Sequence, residues 1–476
     1  MTTRSPPARG GRGPGGCSWR PTGRLLRNSR GWRRLVPART VRPLPNGASM
    51  SSSLARPAAF GVVGATVATF LAASSAPSPL YPAYEQAFGF GPTTLTVVFA
   101  VYVLALLAAL LVVGRLSDHV GRRPVLAAAL ALELASLVVF LAASDAGWLV
   151  AARVVQGLAT GGAIGVLGAY LLDLQPEGTQ RGALVNSVAP MAGLAVGGVL
   201  AGVLSQYGPA PLRLVYAVLG VAVVVLLVLV RFLPETSATR PGALASMRPE
   251  IAVPARARRT FLASTPVFLS TWSLGGLMLS VSGSVLATQL GETNHAVSGV
   301  VIALFTGAGA TAALLGRDRS SALLARGGLG ALVVGVAAFV LALVLSSLAL
   351  LVVAVVVAGT GFGAAFLGAL RSLTSLARPH ERSGLMSAVF TVSYLAFSVP
   401  ALAAGVLTRV VGLHATALGY ATVVGVLAAT ALGADLLVRP PAPADDAVPE
   451  DEAVAADGPA ETAGSPEQAR PCTQTA

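Results

Sequence analysis

The 476-residue chain is poor in charge and contains no lysine: all 33 basic residues are arginine, and charged residues make up only 11% of the sequence. Soluble domains carry roughly a quarter charged residues, so this composition excludes an ordinary soluble enzyme. With 54% hydrophobic residues and a mean hydropathy of +0.74, it also excludes disorder over most of the length. The chain is therefore predicted to be an integral membrane protein.

Cysteine is almost absent too, with only Cys17 and Cys472, one in each tail. The apolar part therefore has no disulfide framework, haem motif or cysteine zinc site. The four histidines lack metal-ligand spacing. The sequence also lacks a Walker loop, a nucleophile elbow and an HExxH motif. We predict neither a metal, nor a cofactor, nor an enzymatic activity.

The net charge of +13 would suit nucleic-acid binding, but its distribution argues against it. Residues 1–49 hold 11 arginines and no acid, whereas residues 440–476 hold 8 acids and one arginine. The remaining arginines lie mostly in short segments between apolar stretches, as in a membrane protein. We predict no nucleic-acid partner. The composition predicts disorder in residues 1–55 and 439–476, and it favours translation starting at Met50.

Twelve apolar windows have the length of about 20 residues that a helix needs to cross a bilayer. They are predicted at residues 58–77, 93–113, 125–143, 148–171, 184–204, 212–233, 262–286, 296–315, 327–345, 349–371, 385–407 and 414–438. The longest polar stretch between them, residues 234–261, separates six windows from six, which is typical of duplicated transporters. The predicted domains are therefore an N-terminal bundle (56–233), a central loop (234–261) and a C-terminal bundle (262–438).

Arginine placement predicts the orientation of the chain in the membrane. With both termini in the cytoplasm, the cytoplasmic segments of the apolar body would hold 18 arginines and the external loops only Arg213 and Arg409. Positive loops stay on the cytoplasmic side. We therefore predict a multi-pass protein of the plasma (inner) membrane with both termini inside.

The loop between the second and third predicted spans, GRLSDHVGRRPVL at residues 114–126, carries the strongest motif. Its glycines permit tight turns, and Asp118 can cap a helix N-terminus and accept from an arginine. The loop resembles the signature loop of the major facilitator superfamily at Gly114, Leu116, Asp118, Gly121, Arg122, Arg123, Pro124 and Leu126. The resemblance implies an all-α membrane fold of 12 transmembrane helices in two pseudo-symmetric six-helix bundles, and a loop that acts as a conformational switch. Residues 316–328, GRDRSSALLARGG, are a degenerate second copy.

The fourth predicted span contains LVAARVVQGLAT, residues 149–160, which resembles the arginine motif of that helix in the family. Arg153 lies roughly 8 Å inside the apolar stretch, where a charge needs a cavity or a partner. The resemblance implies a role in proton coupling, and the alternative is an arginine that snorkels to the surface. Glu133 in the third span is a candidate partner of Arg153, a proton site, or a protonated carboxyl facing a neighbouring helix.

The fifth predicted span reads APMAGLAVGG at residues 189–198 and resembles the antiporter motif of the twelve-span drug:proton antiporters. Leu194 stands where that motif has proline. Small residues at helical spacing predict close helix contacts. The glycines predicted to make them are Gly157, Gly161, Gly193, Gly197 and Gly198.

The first, fourth, seventh and tenth helices line the central cavity in this family, so the resemblance implies a substrate site between them. The predicted lining residues are Ser74, Ser75, Tyr102, Gln156, Asn186, Trp272, Gln289 and Phe362. An aromatic and hydroxyl lining with almost no charge suits an apolar or weakly cationic solute.

The sequence is therefore interpreted as a monomeric transporter in the lipid bilayer that exports a small organic compound, a drug or metabolite, in exchange for protons. One alternative is a nutrient importer of the same fold, either a symporter or a facilitator. The other is a receptor or scaffold of this fold that does not transport. The intact signature loop and arginine motif argue against that last alternative.

Overall fold

The computed structural model describes residues 54–179, 181–378 and 381–437, and these residues form helices and no strands. The predicted extension (1–55, except its last two residues) and tail (439–476) lie outside the described residues. Ten long helices are α1 (Arg56–Ser75), α2 (Pro92–Val113), α3 (Arg122–Ala142), α4 (Ala146–Leu174), α5 (Arg181–Tyr207), α6 (Leu214–Val230), α7 (Arg258–Ser280), α8 (His295–Leu315), α9 (Ser321–Val344) and α10 (Leu348–Leu376). A last helix, Arg382–Leu437, has two arms, α11 (382–411) and α12 (413–437), because Gly412 leaves the helical conformation with φ 82° and ψ 164°.

Short helices connect several of the long ones. They are Ser78–Leu80 and Tyr81–Phe88 after α1, Ser117–Val120 before α3, Ala243–Ser246 and Ala255–Ala257 in the central loop, and Ser282–Gln289 after α7. Ten helices of the described chain are long and apolar enough to cross a membrane, and α6, with 17 residues, is a shorter apolar helix. Since Arg382–Leu437 is one of the ten and has two arms, the described chain has twelve helical segments in the places of the twelve predicted windows.

Two predicted windows have different ends in the structure. The window 58–77 ends as an α-helix at Ser75, because Pro77 has no N–H to continue the hydrogen-bond ladder. The window 262–286 ends at Ser280, because Val281 leaves the helical conformation with φ −120°. In both places a short helix follows.

The central loop lies at one end of the bundle, which we call the loop end, and the opposite end is the far end. Arg240 N–H donates to the His119 carbonyl, and Ala252 N–H donates to the Gly384 carbonyl, at 2.8 and 3.2 Å. The central loop therefore contacts both the loop before α3 and the start of α11. It joins the two halves at the loop end.

The side-chain hydrogen bonds between the helices of the two halves lie at the far end instead. In the described chain, each side-chain hydrogen bond between α1–α6 and α7–α12, with their short helices, lies at the far end. The pairs are Thr93 Oγ1 to the Gly405 carbonyl (2.8 Å), Ser284 Oγ to Glu85 Oε2 (3.2 Å), His295 N to Gln206 Oε1 (3.0 Å) and Asn294 Nδ2 to Tyr207 Oη (3.4 Å). The far end is therefore closed between the halves.

Candidate functional site

The end of α1 creates a polar site inside the N-terminal half. A helix leaves its last carbonyl groups without backbone donors, and Pro77 removes the N–H that would reach the Ala73 carbonyl. Side chains of α4 supply the missing donors: Gln156 Nε2 donates to the Ala73 carbonyl (3.1 Å), and an Arg153 terminal nitrogen donates to the Ser74 carbonyl (2.9 Å). The arginine thus sits at the negative end of the α1 dipole, where a cation is stabilised.

Arg153 is enclosed by polar and aromatic groups. Its side chain is 1% exposed, and its guanidinium donates to Gln156 Oε1 (2.8 Å) and to Tyr81 Oη (2.6 Å). The guanidinium carbon lies 4.9 Å from the Tyr102 ring centroid, within the range of a cation–π contact. An arginine that snorkels to the surface does not fit this burial. Its Nε has no hydrogen-bond partner in the described chain.

Glu133 joins the same network through an amide. Its Oε1 accepts from Gln156 Nε2 at 3.1 Å, while its Oε2 is buried without a partner among the described residues. The carboxyl and the guanidinium are therefore linked through Gln156 instead of forming the direct pair that the sequence offered as one alternative. We call Glu133, Gln156, Arg153 and Tyr81 the buried network.

The buried network has the parts needed to hold and release a proton. A buried carboxyl is costly when ionised without enough donors, and the guanidinium of Arg153 supplies a fixed positive charge nearby. Protonation of Glu133 would give its free oxygen a hydrogen to donate. The network also contacts the end of α1 and the short helix Tyr81–Phe88. A change in the charge of Glu133 would therefore alter the contacts of both elements.

The loop between α2 and α3 carries a second charged cluster, at the loop end. Arg122 pairs with Asp118 (3.1 Å) and with Asp173 of α4 (2.6 Å), and its side chain is 12% exposed. Thr236 Oγ1 donates to the same Asp173 oxygen at 2.7 Å. The arginine therefore ties the loop to α4 and to the start of the central loop.

Glu235 of the central loop caps α3, a role that the sequence assigned to Asp118. The backbone N–H groups of Arg122 and Arg123 donate to its two carboxylate oxygens at 2.8 and 3.0 Å. The chain reaches this position because Gly121 takes a φ of 107°, which side chains rarely adopt. Gly114 ends α2, and a Cβ there would meet the Leu110 carbonyl oxygen at 2.5 Å.

The predicted packing glycines lie at close helix approaches. A Cβ at Gly157 or Gly161 would meet backbone of α2, and one at Gly193 or Gly197 would meet backbone of α1. Gly198 faces α8 of the other half, where a Cβ would lie 3.1 Å from Ile302 Cγ2. Both α1 and α4 are therefore held close to their neighbours by small residues.

An aromatic cluster occupies the C-terminal half. The Trp272 ring on α7 lies among Tyr394 (5.0 Å between centroids), Phe366 (5.5 Å), Phe397 (5.7 Å) and Phe362 (6.4 Å). These five rings are partly exposed, and the Trp272 Nε1–H has no partner in the described chain. Phe397 also reaches the N-terminal half, 5.2 Å from Phe99. The cluster therefore lies where the two halves meet.

The other predicted cavity residues are in different surroundings. Ser74 Oγ accepts from Tyr102 Oη (2.8 Å), and Ser75 Oγ donates to the Leu194 carbonyl (2.9 Å), so these hydroxyls are used in helix contacts. Asn186 is exposed on α5 near the loop end. Gln289 lies at the far end, where its Oε1 is 2.7 Å from His414 Nδ1, because it ends the short helix that follows α7. It does not join Trp272 and Phe362.

Sequence reasoning missed Tyr81, Glu235, Tyr394 and Phe397. Tyr81 lies just after the proline-rich stretch that ends α1, separated from Pro79 by Leu80. A tyrosine at this position, next to a helix end with free carbonyl groups, was the available signal. The others gave no signal, because their positions depend on how distant helices pack. The described residues contain no group of three or more side chains suited to holding a metal.

Comparisons with known proteins agree with this architecture. The sequence model described as Major Facilitator Superfamily matches residues 62–399. No curated protein resembles the chain closely enough in sequence to count as a match.

Solved structures share the fold at low identity. A bacterial homolog of the human lysosomal transporter Spinster, inward-facing and unoccupied, is 12% identical with a TM-score of 0.65, covering 80% of this chain and 97% of its own. A mutant of the nucleoside transporter NupG is 12% identical with a TM-score of 0.62, covering 80% and 100%. The human organic anion transporter MFSD10 is 18% identical with a TM-score of 0.56, covering 80% and 100%.

Proposed function

The chain belongs to the major facilitator superfamily, and we propose that this secondary transporter exports a small organic compound across the plasma membrane in exchange for protons. Membership makes it a multi-pass membrane protein and a transporter, not an enzyme. The observation that carries the finer proposal is the buried network, in which Glu133 has a buried oxygen without a partner in the described chain.

Glu133 is proposed to bind the coupling proton. The carboxyl shares Gln156 with Arg153, so a change of its charge alters the hydrogen bonds that hold the end of α1. Ionisable groups buried in membrane helices commonly mark proton relays. The described C-terminal helices α7 to α12 contain no acid at comparable depth, because Asp435 lies at the loop end, paired with Arg326 at 2.5 Å.

The substrate is proposed to be an aromatic or otherwise weakly polar organic compound. The Trp272 cluster offers ring faces and edges for stacking, together with an indole N–H that can donate to one acceptor. Ligand sites of this kind are mostly apolar with few polar groups that fix orientation. A phosphorylated substrate would need cations that this cluster lacks.

Export is the direction that the motif resemblance in α5 favours. The loop end, with the charged loop before α3 and the central loop, is proposed to lie in the cytoplasm, as the arginine distribution indicates. The far end is closed between the halves, so the state described is one in which the substrate site would open to the cytoplasm.

A transport assay in everted membrane vesicles tests the proposal. Fluorescent aromatic compounds, ethidium among them, are offered with and without a protonophore, using the wild type, Glu133→Gln, and the control Glu177→Gln, which makes the same change at an exposed site after α4. We expect protonophore-sensitive uptake by the wild type and the control, and loss of that sensitivity in Glu133→Gln. Protonophore-insensitive uptake by the wild type would exclude proton coupling, and efflux from the vesicles would show import.

A further inference from the structure

The short helix Tyr81–Phe88 contacts both the buried network and the opposite half. It follows α1 after the turn Ser78–Leu80, and it leads into α2. Pro77, Pro79 and Pro82 prevent this stretch from continuing α1 as one helix. The stretch is therefore divided into a turn and a separate short helix after α1.

Its first residue binds the arginine of the buried network. Tyr81 is 1% exposed, and its Oη accepts from Arg153 at 2.6 Å. Hydrogen bonds to charged groups are short and strong, and both partners here are buried. The other two partners of the guanidinium are on α1 and α4, so Tyr81 is its link to the short helix.

The same short helix also meets the C-terminal half. Glu85 Oε2 accepts from Ser284 Oγ at 3.2 Å, and a Cβ at Gly283 would lie 3.4 Å from Pro82. Both partners belong to the helix Ser282–Gln289, which follows α7. These contacts are part of the closed far end, and they must separate when that end opens.

A third contact makes the short helix a stiff unit. Tyr84 Oη lies 3.0 Å from Tyr216 Oη of α6 and 3.2 Å from the Leu212 carbonyl, and Tyr84 is 1% exposed. Tyr84 therefore anchors the short helix to α6 independently of Arg153. Any displacement of the helix that follows loss of its contact with Ser282–Gln289 would move Tyr81 relative to Arg153.

We propose that Tyr81 is a positioning residue that couples closure of the far end to the arrangement of Arg153 in the buried network. With the far end closed, Tyr81 and the Ser74 carbonyl hold the guanidinium beside Gln156. When the far end opens, Tyr81 withdraws, and Arg153 changes its contact with Gln156 and so with Glu133. The conformation of the far end and the charge of the proton site are then coupled through one hydrogen bond, from Arg153 to Tyr81 Oη. This inference rests on the proposed proton coupling at Glu133.

The ionisable groups around this path are few. Arg153 faces Glu133 through Gln156, and it faces the phenols of Tyr81 and Tyr102. The short helix is faced by Glu85 on its own surface, by Tyr216 of α6, and by His295 of α8, which contacts the Pro79 carbonyl. A pH effect of a Tyr81 substitution must therefore be separated from titration of Glu85 and His295.

The test compares Tyr81→Phe, Ser284→Ala and their combination in the full-length protein. Tyr81→Phe keeps the ring and removes the hydroxyl, while Ser284→Ala removes the donor to Glu85. We expect each to shift the midpoint of the transport pH profile by about one unit in the same direction, equivalent to ~1.4 kcal/mol. The double variant should shift no further than the larger single variant, because both break one path. Additive shifts, or an unchanged profile in Tyr81→Phe, would overturn the inference.

The control is Tyr84→Phe, which removes a buried hydroxyl from the same helix without touching Arg153. It should lower thermal stability and leave the pH midpoint in place. A midpoint shift in Tyr84→Phe as large as in Tyr81→Phe would mean that loss of any buried hydroxyl from this helix changes the pH profile. That result would contradict a specific role for Tyr81.

A second readout separates this inference from the proposed function. Spin labels at the exposed Gln86 and Thr288 report the distance between the two short helices. If the wild type transports without any pH dependence, proton coupling fails, and the distance then decides the inference alone. We expect Tyr81→Phe to raise the population with separated helices at constant pH. An unchanged distance distribution would exclude the link.

Discussion

At the scale of single residues, Arg153 is the side chain that joins the most elements around the buried network. Its guanidinium completes the end of α1, binds the short helix and meets Gln156. A buried polar group that loses its partner costs about 1–3 kcal/mol. The arginine therefore has a structural role as well as the role proposed in coupling, and a test must separate the two.

Substitutions of Arg153 distinguish its structural role from its proposed role in coupling. Arg153→Ala leaves the Ser74 carbonyl, Gln156 Oε1 and Tyr81 Oη without this donor, so we expect a lower melting temperature in detergent and transport that no longer responds to pH. Arg153→Lys keeps the charge but not the planar fork that reaches three partners at once, and should retain more stability while still losing the pH response. Arg409→Ala, an exposed arginine at the far end, serves as the control. A normal pH response in both Arg153 variants would remove the arginine from coupling.

Asp118 offers a second test at this scale. The change Asp118→Asn removes one of the two carboxylates that hold Arg122, so we expect at least a tenfold loss of transport rate with normal membrane insertion. The control is Asp318→Asn in the degenerate copy of the loop, where the carboxylate is 84% exposed and pairs with its neighbour Arg317. Exposed pairs contribute little. Equal rates for the two variants would show that the loop has no switching role.

The sequence predicted the chemistry of individual residues better than their partners. It marked Arg153 and Glu133 because a charge within an apolar window has few explanations. It did not predict that Gln156 joins them, nor that Glu235 caps α3. Both contacts depend on helix rotations and on the path of the central loop. Contacts between residues 23 or 113 positions apart leave no local pattern.

At the scale of helices, hydropathy was sufficient to place the twelve segments, and prolines and glycines decided where they bend. Pro77 ends α1 and exposes the carbonyls that the buried network uses. Gly412 breaks the last long helix into α11 and α12, a turn that the sequence treated as a loop between two windows. The break at Val281 had no such signal, and Gln289 was therefore placed in the cavity instead of at the far end.

The glycines of α5 give a prediction about helix packing. A Cβ at Gly197 would meet the Ala72 carbonyl and Ser75 Oγ of α1, and backbone cannot move aside cheaply. We expect Gly197→Ala to destabilise the protein by about 1–3 kcal/mol, as overpacking does. The control is Gly330→Ala in α9, where nothing lies within 4 Å and alanine is the better helix former. Melting curves in detergent give the comparison. Equal melting temperatures would show that α1 and α5 are not closely packed.

At the scale of the whole molecule, α5 packs on α8 and α2 packs on α11 across the two halves, and the hydrogen bonds between these halves lie at the far end. The central loop joins the halves at the loop end. A substrate site between the halves is reached from one side at a time if these two sets of contacts alternate. Transporters of duplicated architecture work by rocking one half against the other. The central claim is that separation of the halves at the far end and separation at the loop end alternate, with Glu133 setting the balance.

Paired distance measurements between spin labels test this claim most directly. One pair is Gln86 with Thr288 at the far end, and the other is Glu177 with Ser375 at the loop end. All four residues are exposed, and Cys17 and Cys472 are replaced by serine. The wild type is compared at low and high pH with Glu133→Gln, which imitates the protonated carboxyl. We predict that one distance lengthens whenever the other shortens, and that Glu133→Gln shows the same populations at every pH. Distances that change independently, or a Glu133→Gln variant that still follows pH as the wild type does, would contradict the account.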